Sequence, residues 1–316
     1  MYVWAKDDRH NANRRLCRKI GAMLKGNLKN NKAGILLYGL TPPKAEFDEQ
    51  KLREISSRWT ERINSVNADG LVLYEIQDES ARMGERTFEF SDTLSPNNYY
   101  NDYLNVKTPS IFYNVANKYD EQKFREILAH QSANLSVFVG AASSKIEPKM
   151  SLNRAYEIAR DEFKNLCVGG ICIAERHAKK GDEEQRMAHK VSLGAKFFIS
   201  QAVFDLPLAK ELLNAVARAN LNVPIIFTFT TCGTPKTLEF IKWLGINVPQ
   251  NVEERLLKSS DILAESSKIC VENFAQLYLL GQNLGVSVGA NVESVMAKRA
   301  EIEASLSLVN EFRGVL

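Results

Sequence analysis

Three consecutive residues, Glu175, Arg176 and His177, place a carboxylate, a guanidinium and an imidazole directly after an apolar run. That run, Val168 to Ile173, is rich in glycine and β-branched residues and is typical of a strand buried on both faces. A second strand ends at Gln201, whose amide both donates and accepts hydrogen bonds. Because ligands of parallel sheets sit at the carboxyl ends of the strands, we predict that these polar groups share one site.

A candidate general acid follows another strand. Glu75 comes directly after the apolar run LVLY, so we expect its carboxylate at the same edge of the sheet, beside aromatic neighbours. Desolvation there raises the pKa of a carboxyl group, which suits proton donation. Asp78 and Glu79, in the polar loop that follows, are further candidates. The alternative is that Glu75 pairs with Arg82 or Arg86 of the same loop, and the sequence leaves both interpretations open.

These groups need a scaffold of alternating strands and helices. The chain shows about eight strand-like segments separated by helical ones, the count that a (β/α)8 barrel requires. No Gly-x-Gly-x-x-Gly follows the first strand, which argues against an open doubly wound sheet. Polar residues close most of the strand ends, among them Thr41, Tyr113, Asn114, Ser143, Thr228, Thr230, Asn291 and Glu293. We therefore predict an α/β fold with a TIM barrel, with its ligand at the strand ends.

The segment before the first strand is basic. We predict a helical extension over residues 1–33, with an apolar stripe of Leu16, Ile20 and Met23, that plugs or flanks the bottom of the barrel. The barrel itself is predicted over residues 34–316 as a single domain, because no break in composition suggests a second one. The loop after Ile173 is expected to lead into a helix from about Asp182.

Composition is that of an ordinary globular protein. The 316 residues are 45% hydrophobic, and the formal net charge of +3 is spread over interspersed acids and bases. This gives no case for binding nucleic acid or a membrane surface. The five cysteines are scattered and form no C-x-x-C, so we expect no disulfide framework, no metal site and a cytoplasmic location. No apolar run is long enough to span a bilayer.

The stretch from Val168 to Asp205 resembles the core of the methylenetetrahydrofolate reductase family, whose members are flavin-containing (β/α)8 barrels. The resemblance rests on the segments AERH, GDEE and SQAVFD, and on IQDES, GERTF, VGAASS and NVESV elsewhere. It extends from roughly Gly34 to the C-terminus and is weakest in the first part of the chain.

The resemblance implies roles for individual residues. His177, Glu183 and Lys190 match positions that contact FAD, and Gln201 matches a position that contacts folate. Each cofactor position has a plainer alternative: a loop histidine bonded to backbone, an acid in the first turn of a helix, and a surface lysine. Further predicted cofactor contacts are Tyr74, Gly140 and Ala141, and further predicted substrate contacts are Phe204 and Asn291.

Three positions depart from the family pattern. Strand one of the family ends in Phe-Glu-Phe-Phe-Pro-Pro, and its glutamate protonates the folate, whereas YGLTPP here places Gly39 at that position. Ala141 stands where the family has an aspartate beside the flavin ring, and Ile173 stands where a tyrosine commonly lines the flavin site. We therefore expect an altered active site in which Glu75 takes over the acid role.

The activity implied by the resemblance is reduction of 5,10-methylenetetrahydrofolate to 5-methyltetrahydrofolate by NAD(P)H, with FAD carrying the hydride. Weak FAD binding, or direct hydride transfer from NAD(P)H without flavin, stays open because of the three departures. The rival hypotheses are a non-catalytic folate- or flavin-binding protein that hands one-carbon units to a partner, and methyl transfer from a methylated folate. The sequence leaves open whether the chain forms a homo-oligomer or joins a partner subunit.

Overall fold

Parallel strands form a closed barrel in the residues that the computed structural model describes, which are 8–77, 87–131, 135–141 and 147–316. Each strand pairs with the next one along the chain, and the last pairs with the first. The strands are β1 (Leu36–Leu40), β2 (Gly70–Leu73), β3 (Ser110–Val115), β4 (Leu135–Val139), β5 (Cys167–Cys172), β6 (Phe198–Ala202), β7 (Ile225–Thr230) and β8 (Val288–Glu293). The predicted (β/α)8 fold is confirmed.

Helices surround this barrel, and aspartate and serine caps fix where several of them begin. The side chains of Asp48, Asp120, Ser151, Asp205 and Asp261 each accept a hydrogen bond from a backbone N–H of the first turn. The helices are α1 (Asp8–Lys29), α2 (Glu49–Ser65), α3 (Pro96–Asn98), α4 (Glu121–Ala129), α5 (Leu152–Glu162), α6 (Ala174–Lys180), α7 (Glu183–Ser192), α8 (Leu206–Arg218), α9 (Pro235–Trp243), α10 (Gln250–Lys258), α11 (Ile262–Leu284) and α12 (Arg299–Val315).

Alternation along the strands separates the two faces of the barrel. In β7, Ile225, Phe227 and Phe229 pack in the cluster shared with the outer helices, whereas Ile226 belongs to a separate apolar cluster. Successive side chains of a strand point to opposite faces. The interior is apolar in its lower layers, so polar side chains inside the barrel concentrate at the carboxyl ends of the strands.

Helix α1 closes the amino-terminal end of the barrel. Leu24 and Leu28 are buried in the same cluster as the inward-facing strand residues, and a Cβ added at Gly70, the first residue of β2, would lie 2.7 Å from Leu24. The predicted apolar stripe is wrong, because Leu16 and Met23 are exposed. The domain boundary near residue 33 stays a prediction.

One predicted loop forms a helix in the structure. The stretch after Ile173, predicted as a loop, forms helix α6, which ends at Gly181 in the left-handed conformation with φ of 65°. Glycine adopts that conformation without steric cost, so it ends one helix and lets α7 begin within two residues. Further along the chain, α10 and α11 are separate helices because Asp261 caps the start of α11.

Candidate active site

A cavity of about 1420 Å³ opens at the carboxyl ends of the strands. This is the end of the barrel at which TIM-barrel enzymes place their active sites. Every strand contributes to its wall, either through its last residues or through the loop that follows. The strand-end residues that line it are Gly39, Leu40, Tyr74, Glu75, Tyr113, Val139, Gly140, Ile171, Gln201, Thr228 and Glu293.

The floor of the cavity holds a hydrogen-bonded chain of polar side chains. Asn291 donates from its amide nitrogen to the Tyr74 hydroxyl at 2.8 Å and to Thr228 Oγ1 at 3.2 Å. The Tyr74 hydroxyl also interacts with the Glu293 carboxyl group, whose negative charge helps raise the pKa of the tyrosine. The Tyr113 ring meets the Tyr74 ring edge to face, with 5.1 Å between centroids. The chain therefore aims one tyrosine hydroxyl at one carboxyl group.

The surroundings of Glu293 favour the neutral form of its carboxyl group. Burial raises the pKa of its carboxyl group from 4.5 to about 7, although the hydrogen bond from Tyr74 lowers it. The pKa of Tyr74 is raised well above 10 by burial and by the negative charge of Glu293, so the tyrosine keeps its proton. A carboxyl group with a pKa near neutrality gives and takes protons efficiently at physiological pH.

Gly39 lies opposite Glu293 across the β1–β8 pairing. A Cβ added at Gly39 would lie 2.6 Å from the Tyr74 hydroxyl, closer than side-chain carbons pack. The tyrosine therefore occupies the space that a side chain on β1 would need.

Glu75 lines the cavity, but its carboxylate is engaged by the protein. The backbone N–H of Val115 donates to Oε2 at 2.7 Å, the Tyr119 hydroxyl donates to Oε1, and Lys118 Nζ lies 3.2 Å from Oε1. The side chain is only 7% exposed. This arrangement fixes the end of β3 against the end of β2, which is a structural task. The other two predicted acids, Asp78 and Glu79, lie outside the described residues.

Replacing Glu75 with glutamine is expected to reduce the free energy of unfolding by about 1–2 kcal/mol, because the amide loses the ion pair with Lys118 and weakens the other two contacts. Chemical denaturation of the variant and the wild type measures this difference. The control is Glu46→Gln, whose exposed pairing with Lys44 is worth little. Equal stability of Glu75→Gln and the wild type would contradict a structural task for Glu75.

Glu183 is turned away from the cavity. Its side chain is 0% exposed and accepts two hydrogen bonds from the Arg176 guanidinium, one of them from Nη2 at 2.6 Å. The backbone N–H of Ile173 donates to the same carboxylate at 3.1 Å. His177 is buried beside it, with Nδ1 3.0 Å from Glu184 Oε2, although the two atoms are not aligned for a hydrogen bond.

Lys190 reaches the cavity wall from α7. Its ammonium group donates to the carbonyl of Ile171 at 2.7 Å, and burial lowers its pKa to about 8. The position is therefore a buried cation at the end of β5 rather than a surface lysine.

The predicted substrate contacts have different surroundings. Gln201 lines the cavity, and its amide nitrogen donates to the carbonyl of Leu244 at 2.9 Å, which fixes the orientation of the amide. Phe204 is buried in the cluster formed with α9 and α11, outside the cavity wall. Asn291 is fully buried beneath the floor and acts on the cavity through Tyr74. On the β4 side, Gly140 and Ala141 line the cavity, and Gln77 donates to the carbonyl of Gly140 at 3.1 Å.

Other kinds of site have no support in the described ranges. No three His, Cys, Asp or Glu side chains converge there to hold a metal ion. None of the helices described is long and apolar enough to cross a membrane. The cysteines are buried thiols, at positions 17, 167, 172, 232 and 270.

Comparison with known proteins shows the family to which this barrel belongs. The family model described as methylenetetrahydrofolate reductase matches residues 156–281. A solved structure, the uncharacterized protein from Clostridium thermocellum that binds two copies of 5-methyl-5,6,7,8-tetrahydrofolic acid, is 37% identical to this chain. The alignment covers 93% of this chain and 100% of that one, with a TM-score of 0.81. The chain belongs to the methylenetetrahydrofolate reductase family.

A more distant structure shares only the fold. Phospho-2-dehydro-3-deoxyheptonate aldolase from Francisella tularensis is 8% identical, with a TM-score of 0.52 over 96% of this chain and 92% of that one. No curated protein matches the chain significantly.

The positions at which the family resemblance implies FAD contact are mostly turned to other tasks in this chain. His177 and Glu183 do not line the cavity: Glu183 is bonded to Arg176, and His177 is buried beside Glu184. Lys190 lines the cavity, but its ammonium group is bonded to backbone. In the described part of the chain, the residues that the family uses for FAD therefore fit a flavin poorly.

Glu293 was not among the acids predicted from the sequence to take part in proton transfer. It was recognised as a polar strand end, but nothing in its local sequence, NVES, distinguishes it from the others. The available signal was its place at the end of the last strand, which must lie beside β1 when a barrel closes, next to the vacant position at Gly39.

Proposed function

We propose that this protein binds a reduced folate in the cavity at the strand ends and reduces 5,10-methylenetetrahydrofolate to 5-methyltetrahydrofolate with NAD(P)H. The observation that carries the proposal is the 37% identical structure that binds 5-methyl-5,6,7,8-tetrahydrofolic acid, which is the product of that reaction. The partly buried carboxyl group of Glu293 in the cavity wall supports catalysis over binding alone, since the reaction needs a proton donor.

The cavity wall suits the parts of a folate. The amide of Gln201 offers the pterin both a donor and an acceptor, and the apolar side chains of Ile171, Ile199 and Leu244 suit the flat rings. The glutamate tail is anionic, and exposed cations line the outer part of the same cavity. These are Lys44, Lys51, Arg58 and Arg299.

The size of the cavity supports two ligands at once. A volume of about 1420 Å³ exceeds the range of about 300–1,000 Å³ for pockets that hold one drug-sized molecule. A folate and a nicotinamide nucleotide are therefore proposed to bind together, so that hydride transfer needs no intermediate exchange of ligands.

The proposed reaction consists of a protonation, the cleavage of one C–N bond and a hydride transfer. A proton passes to N10 of the folate, the bond between N10 and the methylene carbon breaks, and a cationic iminium remains at N5. Hydride from C4 of the nicotinamide then adds to that methylene carbon, which gives the 5-methyl group and NAD(P)⁺. A bound flavin would relay the two electrons as it does elsewhere in the family. Because the described residues fit FAD poorly, the proposal routes no step through it and takes direct transfer from NAD(P)H.

A second candidate function is folate binding without turnover, in a protein that hands one-carbon units to a partner or donates the methyl group. Two observations favour it: the Clostridium thermocellum protein binds two copies of a methylated folate, and Gly39 replaces the usual acid. For either function we propose a cytoplasmic location, because the unpaired cysteines suit a reducing compartment.

The test has two parts, both done without oxygen. The purified protein is incubated with FAD, desalted and examined for a flavin absorbance band. It is then mixed with 5,10-methylenetetrahydrofolate and NADH or NADPH, with and without added FAD, and loss of the nicotinamide absorbance is followed. We expect no retained flavin and FAD-independent turnover. Tight binding of 5-methyltetrahydrofolate by calorimetry without turnover would favour the second candidate, and turnover that requires FAD would contradict direct transfer.

A further inference from the structure

The acid missing from β1 has a counterpart on the neighbouring strand. We propose that Glu293, held by the Tyr74 hydroxyl, is the proton donor of the folate reaction and replaces, from β8, the glutamate that the family carries on β1. This inference rests on the proposed function. It goes beyond it because it assigns the chemistry to a residue at a different place in the barrel.

Strand pairing brings the two positions together. Gly39 and Glu293 are direct partners in the parallel ladder between β1 and β8. Neighbouring strands lie roughly 5 Å apart, and alternation turns both residues to the same face. Because Glu293 lines the cavity that Gly39 also lines, its carboxyl group can reach the region that a glutamate on β1 would serve.

Tyr74, which we infer orients Glu293, occupies the space above Gly39. The Tyr74 hydroxyl lies 2.6 Å from where a Cβ of residue 39 would be, so a glutamate at position 39 would require the tyrosine ring to move from its place beside Glu293. That same hydroxyl accepts from Asn291 at 2.8 Å, and its interaction with Glu293 lowers the pKa of that carboxyl group against the larger effect of burial. The loss of the acid on β1 and the presence of the Tyr74–Glu293 pair are therefore one linked arrangement rather than two unrelated differences.

The surroundings of Glu293 suit a donor that must be protonated before the reaction and ionised after it. Burial raises its pKa to about 7, so the neutral acid is well populated at physiological pH. Tyr74 is its neighbour on the β2 side, the Tyr38 hydroxyl on β1 is bonded to Ser305 of α12, and Arg62, Arg299 and Glu303 are charged groups of the same cavity. After proton transfer to N10, the hydrogen bond from Tyr74 stabilises the carboxylate until solvent returns a proton.

Glu75 is the competing acid, and its contacts differ. Its carboxylate is held by the N–H of Val115, by the Tyr119 hydroxyl and by the ammonium group of Lys118. Both of its oxygens are therefore already engaged by groups of the protein, which leaves the carboxylate poorly placed to meet a substrate. The geometry therefore points to Glu293 over Glu75.

The experiment compares Glu293→Gln with Glu301→Gln in the full chain. Glu301 is a matched control because it is another buried carboxyl group with a raised pKa, bonded to the Thr237 hydroxyl at 3.1 Å and absent from the cavity wall. Single-turnover oxidation of NAD(P)H by 5,10-methylenetetrahydrofolate should fall about 100-fold or more in Glu293→Gln and remain near the wild-type rate in Glu301→Gln. Affinity for 5-methyltetrahydrofolate, by calorimetry, should change little in either variant.

A second variant tests the positioning role of Tyr74. Tyr74→Phe removes a hydrogen bond to the ionised carboxylate, so the apparent pKa in the pH–rate profile should move upward. A residue that served packing alone would lower the rate without moving that pKa.

The outcomes separate the two proposals. If the wild type and Glu301→Gln turn over and Glu293→Gln keeps the wild-type rate, the assignment of Glu293 is wrong while the proposed reductase stands. If all three bind 5-methyltetrahydrofolate and none oxidises NAD(P)H, both proposals fail. If Glu293→Gln does not fold, Glu293→Asp, which keeps the acid but shortens it, must slow turnover while folate affinity is retained, and an unchanged rate would overturn the assignment.

Discussion

Replacing Glu183 with alanine is expected to lower the free energy of unfolding by about 3–5 kcal/mol. The substitution leaves the Arg176 guanidinium half-buried without its two hydrogen bonds, and it leaves the backbone N–H of Ile173 without its acceptor. It also creates a void where a fully buried side chain stood. The free energy from chemical denaturation, with equal slopes for variant and wild type, measures the loss.

Two further variants sharpen this prediction. Glu157→Ala removes an exposed carboxylate that lies 3.4 Å from Arg154 and should change stability by less than about 0.5 kcal/mol. Replacing both members of the buried pair, Arg176→Met with Glu183→Leu, should recover part of the loss, because no unpaired charge remains. A loss below about 1 kcal/mol for Glu183→Ala would show that the pair does not hold α6 to α7.

The barrel could be predicted from the sequence because its determinants are local and repeated. Apolar runs of strand length alternate with amphipathic helical segments, and that pattern specifies parallel strands with helices outside. The termini of individual elements were less accessible. Helix α6 was predicted as a loop because AERHAKKG has no apolar periodicity, and only Gly181 with its positive φ reveals where that short helix ends.

The location of the site at the strand ends could be predicted from the sequence, but the roles of its individual residues could not. Gln201 and Tyr74 were expected at the strand ends and line the cavity there. Glu183 was expected toward a cofactor, yet it bonds to Arg176, a contact decided by the packing of α6 against α7 rather than by spacing. Glu75 and Glu293 both lie at strand ends, and the difference between them is which partners the fold supplies: Lys118 and Tyr119 for Glu75, and Tyr74 for Glu293.

Substituting Glu293 with glutamine should stabilise the folded protein above neutral pH by about 3 kcal/mol, although the same change is expected to abolish efficient turnover. The pKa of Glu293 is raised from 4.5 to about 7 in the folded state, mainly by burial. The folded state therefore holds its proton more tightly than the unfolded chain does. Above pH 7 the wild type bears the cost of a partly buried carboxylate, and glutamine, which carries no charge, does not.

The sign of the pH dependence separates this effect from general repacking. Below about pH 4.5 the carboxyl group is protonated in both states, so its contribution to stability is fully present. That contribution is lost as the pH rises through about 7, and the gain from Glu293→Gln should grow over the same window. Denaturation of Glu293→Gln and the wild type across this range measures it, and Glu157→Gln, at a side chain that is 38% exposed, is the control. A constant difference between variant and wild type at every pH would mean that Glu293 titrates normally, and it would remove the physical basis for a neutral acid on β8.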